Sequence, residues 1–307
     1  MPKINFQTYL RQMTREQKPN TKNKITTALT RHTHLLLFTA IIVSSGCAQI
    51  SSRLPSLNDN SNKSVTVTLP DSSIYTGHLK YGLFHGQGKL QWRNGTNYIG
   101  SFKKGLFNGL GKLETIAGDT YEGNFYNGLY EGTGIMTYRN GDQYHGDFKN
   151  DGMEGKGTFV FSNGDRYEGA FKNSMFQGEG NLTIRYQGQY HGEFSEGRFE
   201  GKGVYLYKSG KKYAGEFHDG RFHGKGLLVL QNNNQYTGEF RHGKFDGKGK
   251  FTWTNGNYYF GFFKEDLMHG IGTCKKHDIV TSCEYKNNNL FRFGDKQPND
   301  NSLKYRT

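Results

Sequence analysis

The sequence carries little of what catalysis or cofactor binding requires. It contains no Gly-x-x-x-x-Gly-Lys-Ser/Thr phosphate loop. Several Gly-x-Gly triplets occur, but none opens a helix after a strand, as a dinucleotide site needs. No pair of histidines or cysteines has metal-ligand spacing with a third ligand. No catalytic residues, metal site or cofactor are therefore expected, and the chain reads as non-enzymatic. Apolar residues are also scarce. They make up 33% of the chain, and the mean hydropathy of −0.81 leans toward disorder. The apolar stretch Leu35–Val43 is far short of the ~20 residues that span a bilayer.

What the chain has is glycine, 43 residues of it, and aromatic side chains, which make up 15%. Both are placed in register. Tyr75, Tyr98, Tyr121, Tyr144, Tyr167, Tyr190, Tyr213, Tyr236 and Tyr259 fall 23 residues apart. A fixed period of this size means a repeat architecture. With each tyrosine as position 1, positions 3, 12 and 14 are glycine in every repeat, which accounts for 27 of the 43. Position 5 is Phe in eight repeats and Leu79 in the first. Position 10 is aromatic or Met, from Phe84 to Met268, and position 16 is mostly apolar, from Leu90 to Cys274.

The period inside each repeat is two. Positions 1, 3 and 5, and then 12, 14, 16 and 18, are Gly, aromatic or apolar, with polar residues between them. Such alternation puts one set on a packed face of a strand and the other in water. Asn94-Gly95, Asn140-Gly141, Asn163-Gly164 and Asn255-Gly256 lie between position 18 and the next tyrosine. Asn-Gly supplies the positive φ angles of a tight hairpin turn. Each repeat is thus a two-stranded hairpin whose glycines leave bare backbone for a ring to cover. The fold class expected is all-β, an elongated single-layer antiparallel sheet of about nine 23-residue hairpins. At roughly 10 Å per repeat, the sheet would span on the order of 85–90 Å.

These residues resemble the membrane occupation and recognition nexus (MORN) repeat, whose pattern is approximately Tyr-x-Gly-x-Phe/Trp-x-x-Gly-x-x-His/Glu-Gly-x-Gly. The segment Tyr213–Gly226 matches it throughout. The resemblance covers roughly 75–291, with Asp151, Ser174 and Asp266 in place of Gly at position 8 and a partial tenth repeat at Cys283-Glu284-Tyr285. It implies a scaffold or interaction protein, since arrays of this kind often organise assemblies. It also assigns His85, His223 and His269, at position 11, to turn structure. Some plant lipid kinases carry this repeat beside a kinase domain, for which no residues are left over here.

The array is preceded by a basic leader. Residues 1–34 hold +6 of the formal +13. The apolar stretch Leu35–Val43 and then Ser44-Ser45-Gly46-Cys47 complete a secretory-type signal. Cysteine after Ser-Gly resembles the bacterial lipobox. By that resemblance Cys47 is lipidated and becomes the first mature residue, and Ala48 after it favours the outer membrane, facing the periplasm. The alternative is an uncleaved N-terminal anchor. Residues 48–74 read as a Ser/Asn-rich tether and first strand, and 292–307 as a polar tail. Cys274 and Cys283 flank the last turn, and an oxidising periplasm would permit a disulfide between them.

One charge pattern stands out. Arg198, Arg221 and Lys244 share position 9, and Lys202, Lys225 and Lys248 share position 13. They are candidates for binding anionic lipid headgroups. The alternative is a cross-strand charge ladder with Glu193, Glu216 and Glu239 at position 4. The expected function is a membrane-anchored scaffold with an unidentified protein partner or a second copy of itself. A headgroup-binding module is the alternative, and nucleic acid is not an expected partner.

Overall fold

The computed structural model describes residues 63–294. They form 21 strands, from Val65–Thr68 to Asn289–Phe293, in one antiparallel sheet. The described residues contain no helix, and so none long and apolar enough to cross a membrane. The chain falls into two compact units. One runs to Ser162 and includes Ala170–Met175; the other comprises Asn163–Gly169 and everything from Phe176.

Repeat 2 shows how a hairpin forms. Strands Asn97–Lys103 and Leu106–Glu114 pair with Tyr98 opposite Leu113, Gly100 opposite Gly111 and Phe102 opposite Phe107. The next strand, Thr120–Tyr126, continues the register with Gly111 opposite Gly123. A row of glycines therefore crosses the strands at positions 3 and 14. It runs from Gly77 to Gly157 in the first unit and from Gly180 to Gly261 in the second.

The row is bare because the tyrosines lie on it. A Cβ added at Gly100 would stand 2.5 Å from the Tyr98 hydroxyl oxygen, and one at Gly111 only 2.3 Å. The Tyr98 ring stacks on Phe107 at 3.8 Å and meets Phe102 and Phe125 edge-on at 5.1 and 5.2 Å. Its hydroxyl donates to the Ser101 carbonyl at 2.9 Å. The same bond runs from Tyr75 to His78, Tyr121 to Asn124, Tyr190 to Glu193 and Tyr213 to Glu216. All nine repeat tyrosines are almost fully buried. The sheet thus builds its apolar layer from its own rings and needs no second layer, which is how a chain of such low hydropathy stays ordered.

Two details differ from the sequence expectation. The first concerns turns. In the Asn-Gly turns at positions 20 and 21 only the glycine has positive φ, 94° at Gly95 and 87° at Gly141. The asparagine instead accepts the amide two residues on, as Asn94 does from Thr96 at 2.9 Å and Asn140 from Asp142 at 3.0 Å. This is the local Asx bond, which favours a turn with a single left-handed residue. The tight turns with two positive φ values are at positions 7 and 8, such as Tyr81-Gly82 and Lys104-Gly105. The second concerns position 12, which does not share the packed face with position 14. It sits in a β-bulge, where the register shifts between positions 3 and 5. All nine position-12 glycines have positive φ, from 52° at Gly224 to 107° at Gly247. A side chain there would strain the backbone.

The sheet is extended at both ends. Val65–Thr68 pairs with Ile74–Lys80, and after repeat 9 come Ile279–Lys286 and Asn289–Phe293. A disulfide joins Cys274 to Cys283 across the last full hairpin, with Cα atoms 5.8 Å apart.

Candidate interaction surface

Most recurrent polar side chains are committed to the main chain. At position 11 the acid or amide accepts the position-7 amide of the next repeat. Glu131 takes Asn150, Glu154 takes Asn173, Gln177 takes Glu196 and Glu200 takes Asp219, at 3.0–3.2 Å. At position 22, Asp119, Asp142 and Asp165 each accept the position-19 amide of the next repeat at 2.8 Å. Where position 8 is not Gly, the side chain takes on a similar task. Asp151 and Asp266 accept the Tyr130 and Phe245 amides at 2.8 Å, and Ser174 accepts that of Met153 at 3.1 Å. All three keep a left-handed backbone, and the bond offsets that strain. Burial raises the Asp151 carboxyl above its ordinary value against the pull of the Tyr130 amide. Burial also lifts the tyrosine phenols, that of Tyr75 to about 12, so they stay neutral donors.

The basic columns on the outer face are not open cation sites throughout. Arg198 pairs with Asp219, and with Glu196 at 3.4 Å, while Lys244 pairs with Glu265. Arg221 starts its strand, exposed, at the corresponding position. Lys202 lies opposite Glu216 and Lys225 opposite Glu239 in the register. Their partners differ from a charge ladder, however. The carboxylates of Glu193 and Glu216 accept the main-chain amides of Lys202 and Lys225 at 2.9 and 3.0 Å. Those amides are exposed by the bulge, so the ladder bonds run from carboxylate to backbone. Lys248 places its ammonium 5.2 Å from the Phe260 ring centroid. A shallow cleft beside these columns mixes Glu216, Glu239 and Asp246 with Lys225, Arg241 and His223. His218 bonds Glu200 at 2.8 Å, which raises the imidazole above its ordinary value. Cys47, the residue expected to be lipidated, lies outside the described residues.

A second basic column is visible at position 6 and was not singled out from the sequence. Lys80, Lys103, Lys149 and Lys172 are exposed there. Their fixed spacing was the available signal.

A family model for the MORN repeat matches residues 75–97, 98–120, 121–143, 144–166, 167–184, 190–212, 213–235, 236–258 and 259–278. The chain belongs to the MORN-repeat family. The break in the MORN series at 185–189 coincides with a different turn, in which Gln187 donates to Ile184 at 2.9 Å and no Asn-Gly occurs. The exposed Tyr186 there lies 5.4 Å from the Arg185 guanidinium. No curated protein matches this MORN chain. Among solved structures it is similar to the TCP domain of Drosophila melanogaster SAS-4, solved with a proline-rich motif of Ana2. That match has 14% identity and a TM-score of 0.32, covering 61% of this chain and 99% of the other. The TCP10 domain of Danio rerio CPAP gives 11% identity and a TM-score of 0.36, covering 64% and 94%. Virginiamycin B lyase from Staphylococcus aureus gives 7% identity and a TM-score of 0.15, covering 72% and 83%. Scores this low carry nothing over to the MORN array.

Proposed function

We propose that this MORN-repeat protein is a non-enzymatic scaffold, held on a membrane by a lipid on Cys47, whose outer face meets a protein partner. The observation that carries the reading is the division of labour among polar groups. Carboxylates at positions 4, 11 and 22 hold backbone amides of their own or the next repeat. They are thereby structural, and recognition falls to the outward side chains that change from repeat to repeat. Headgroup binding through Arg198, Lys202, Arg221, Lys225, Lys244 and Lys248 is less favoured, because Arg198 and Lys244 already hold carboxylates.

Metabolic palmitate labelling with membrane fractionation, wild type against Cys47→Ser, tests the anchor. Loss of both label and membrane association in the variant is the expected result. An unlabelled wild type removes the lipoprotein reading and leaves the uncleaved anchor. Vesicle binding by the Cys47→Ser chain tests the alternative. Binding that vanishes in ~0.5 M salt and in Arg198→Glu with Arg221→Glu would replace the scaffold reading with the headgroup one.

A further inference from the structure

Repeat 9 departs from the others on the outer face. It alone has apolar residues at all of positions 2, 4 and 13: Phe260, Phe262 and Ile271. They are 40%, 57% and 72% exposed. Strand Tyr258–Lys264 carries both phenylalanines, and strand Leu267–Lys276 beside it carries Ile271. On the other side, strand Lys244–Thr252 sets Lys248 opposite Phe262 and Lys250 opposite Phe260. The Lys250 ammonium lies 4.2 Å from the Tyr258 ring centroid and Lys248 lies over Phe260. Neither lysine makes an ion pair among the described residues. Contiguous exposed apolar surface rimmed by polar groups marks an interaction site.

We propose that this patch docks an acidic peptide segment of a partner protein, one that carries aromatic or aliphatic side chains among its carboxylates. The proposal rests on the interaction-protein reading and names the partner chemistry of its site. The rings take the apolar side chains, and Lys248 and Lys250 take the carboxylates. Charge decides against other occupants. A second copy of the patch would set lysine against lysine. The chain beyond residue 294 offers Asp295 and Asp300 but also Lys296, Lys304 and Arg306. A planar anionic membrane would also meet Glu216 and Glu239 on the same face of the preceding repeats, whereas a short peptide touches only the last hairpins. The disulfide between Cys274 and Cys283 ties strand Leu267–Lys276, which carries Ile271 beside the phenylalanines, to strand Ile279–Lys286. The platform is therefore fixed before binding, and less ordering is needed to bind.

The test is fluorescence anisotropy of the full chain with fluorescein-labelled Gly-Asp-Glu-Phe-Asp-Leu-Phe-Glu-Gly. Two control peptides carry Ser for the apolar residues or Lys for the acids. Saturable binding is expected for the first peptide, and binding at least about tenfold weaker for both controls. Phe260→Ser with Phe262→Ser, and separately Lys248→Glu with Lys250→Glu, should each weaken binding about tenfold or more with unchanged circular dichroism. No binding of the acidic peptide, or equal binding by both double variants, overturns the proposal. So does loss of phosphatidylglycerol-vesicle binding in the variants with peptide binding intact, which would make the patch a membrane contact. The Cys47→Ser result bears only on the anchored-scaffold reading, so the two failures are told apart.

Discussion

On the inner face, Tyr98, Tyr190 and Tyr213 have nearly the same surroundings. Each stacks on a position-10 ring at 3.7–3.8 Å and meets its own and the next position-5 ring edge-on. On the outer face, position 2 alone runs through Thr76, Ile99, Glu122, His145, Glu168, His191, Ala214, Thr237 and Phe260. The tyrosine and glycine columns of the inner face cannot vary because each ring fills the space that the missing side chains at positions 3 and 14 leave. The outer face can vary because water accepts most substitutions. Stability should therefore be concentrated on one face and recognition on the other.

The largest effect should come from filling the glycine row. In Gly111→Ala the new methyl would stand 2.3 Å from the Tyr98 hydroxyl oxygen, in a ring cluster that cannot give way. A loss of about 2–3 kcal/mol is expected in urea denaturation. Leu110→Ala, one residue away on the outer face, should stay within about 0.5 kcal/mol. Similar losses for the two would break the contrast between faces.

A smaller effect is expected at the turn edge between them. Asp151→Ala keeps the left-handed backbone and removes the acceptor for the Tyr130 amide, a loss of about 1–2 kcal/mol. Asp151→Gly relieves the backbone and should be milder in the same denaturation series. If Gly is as harmful as Ala, the side-chain bond outweighs the strain.

The smallest effect concerns exposed charge. The bond to Glu200 raises the His218 pKa, so the stability it brings is fully present below the ordinary histidine value of about 6.5. It is lost as pH rises through the higher folded value. Wild type should lose slightly more stability than His218→Gln between about pH 6 and 8, by denaturation midpoint. Identical pH profiles would show that the pair contributes nothing.

Much of the fold was legible because ring and glycine occur at fixed spacing, and those residue types allow few alternatives. Turn placement was less so. Asn94-Gly95 carries a familiar signal for two left-handed residues, yet the Asn side chain bonds to the backbone two residues on and keeps only the glycine left-handed. The turns that do hold two left-handed residues start with Asn127, Asn150, Asn173 or Asp219 in some repeats, but with Tyr81, Lys104 or Glu196 in others, side chains that do not advertise it. The state of the basic columns was hidden for a different reason. Arg198 meets Asp219 and Lys244 meets Glu265, each 21 residues on, at a different position of the next repeat. Comparing like positions misses such pairs; a search at that offset would find them. The apolar cluster of repeat 9 was written in the same columns, but its meaning depends on the Lys248 and Lys250 side chains that the register brings beside it.

The tyrosine packing also has a consequence for how the chain is made. The rings that Tyr98 touches, Phe102, Phe107 and Phe125, all lie within the next 27 residues. Every stabilising contact of this kind is local in sequence. Low contact order favours fast folding, and a hairpin can close before the hairpins that follow it have formed. No ring senses how many hairpins follow. Gain or loss of a whole 23-residue segment would leave every remaining cluster intact, so the length of such an array is set by duplication in the gene and not by closure of a core.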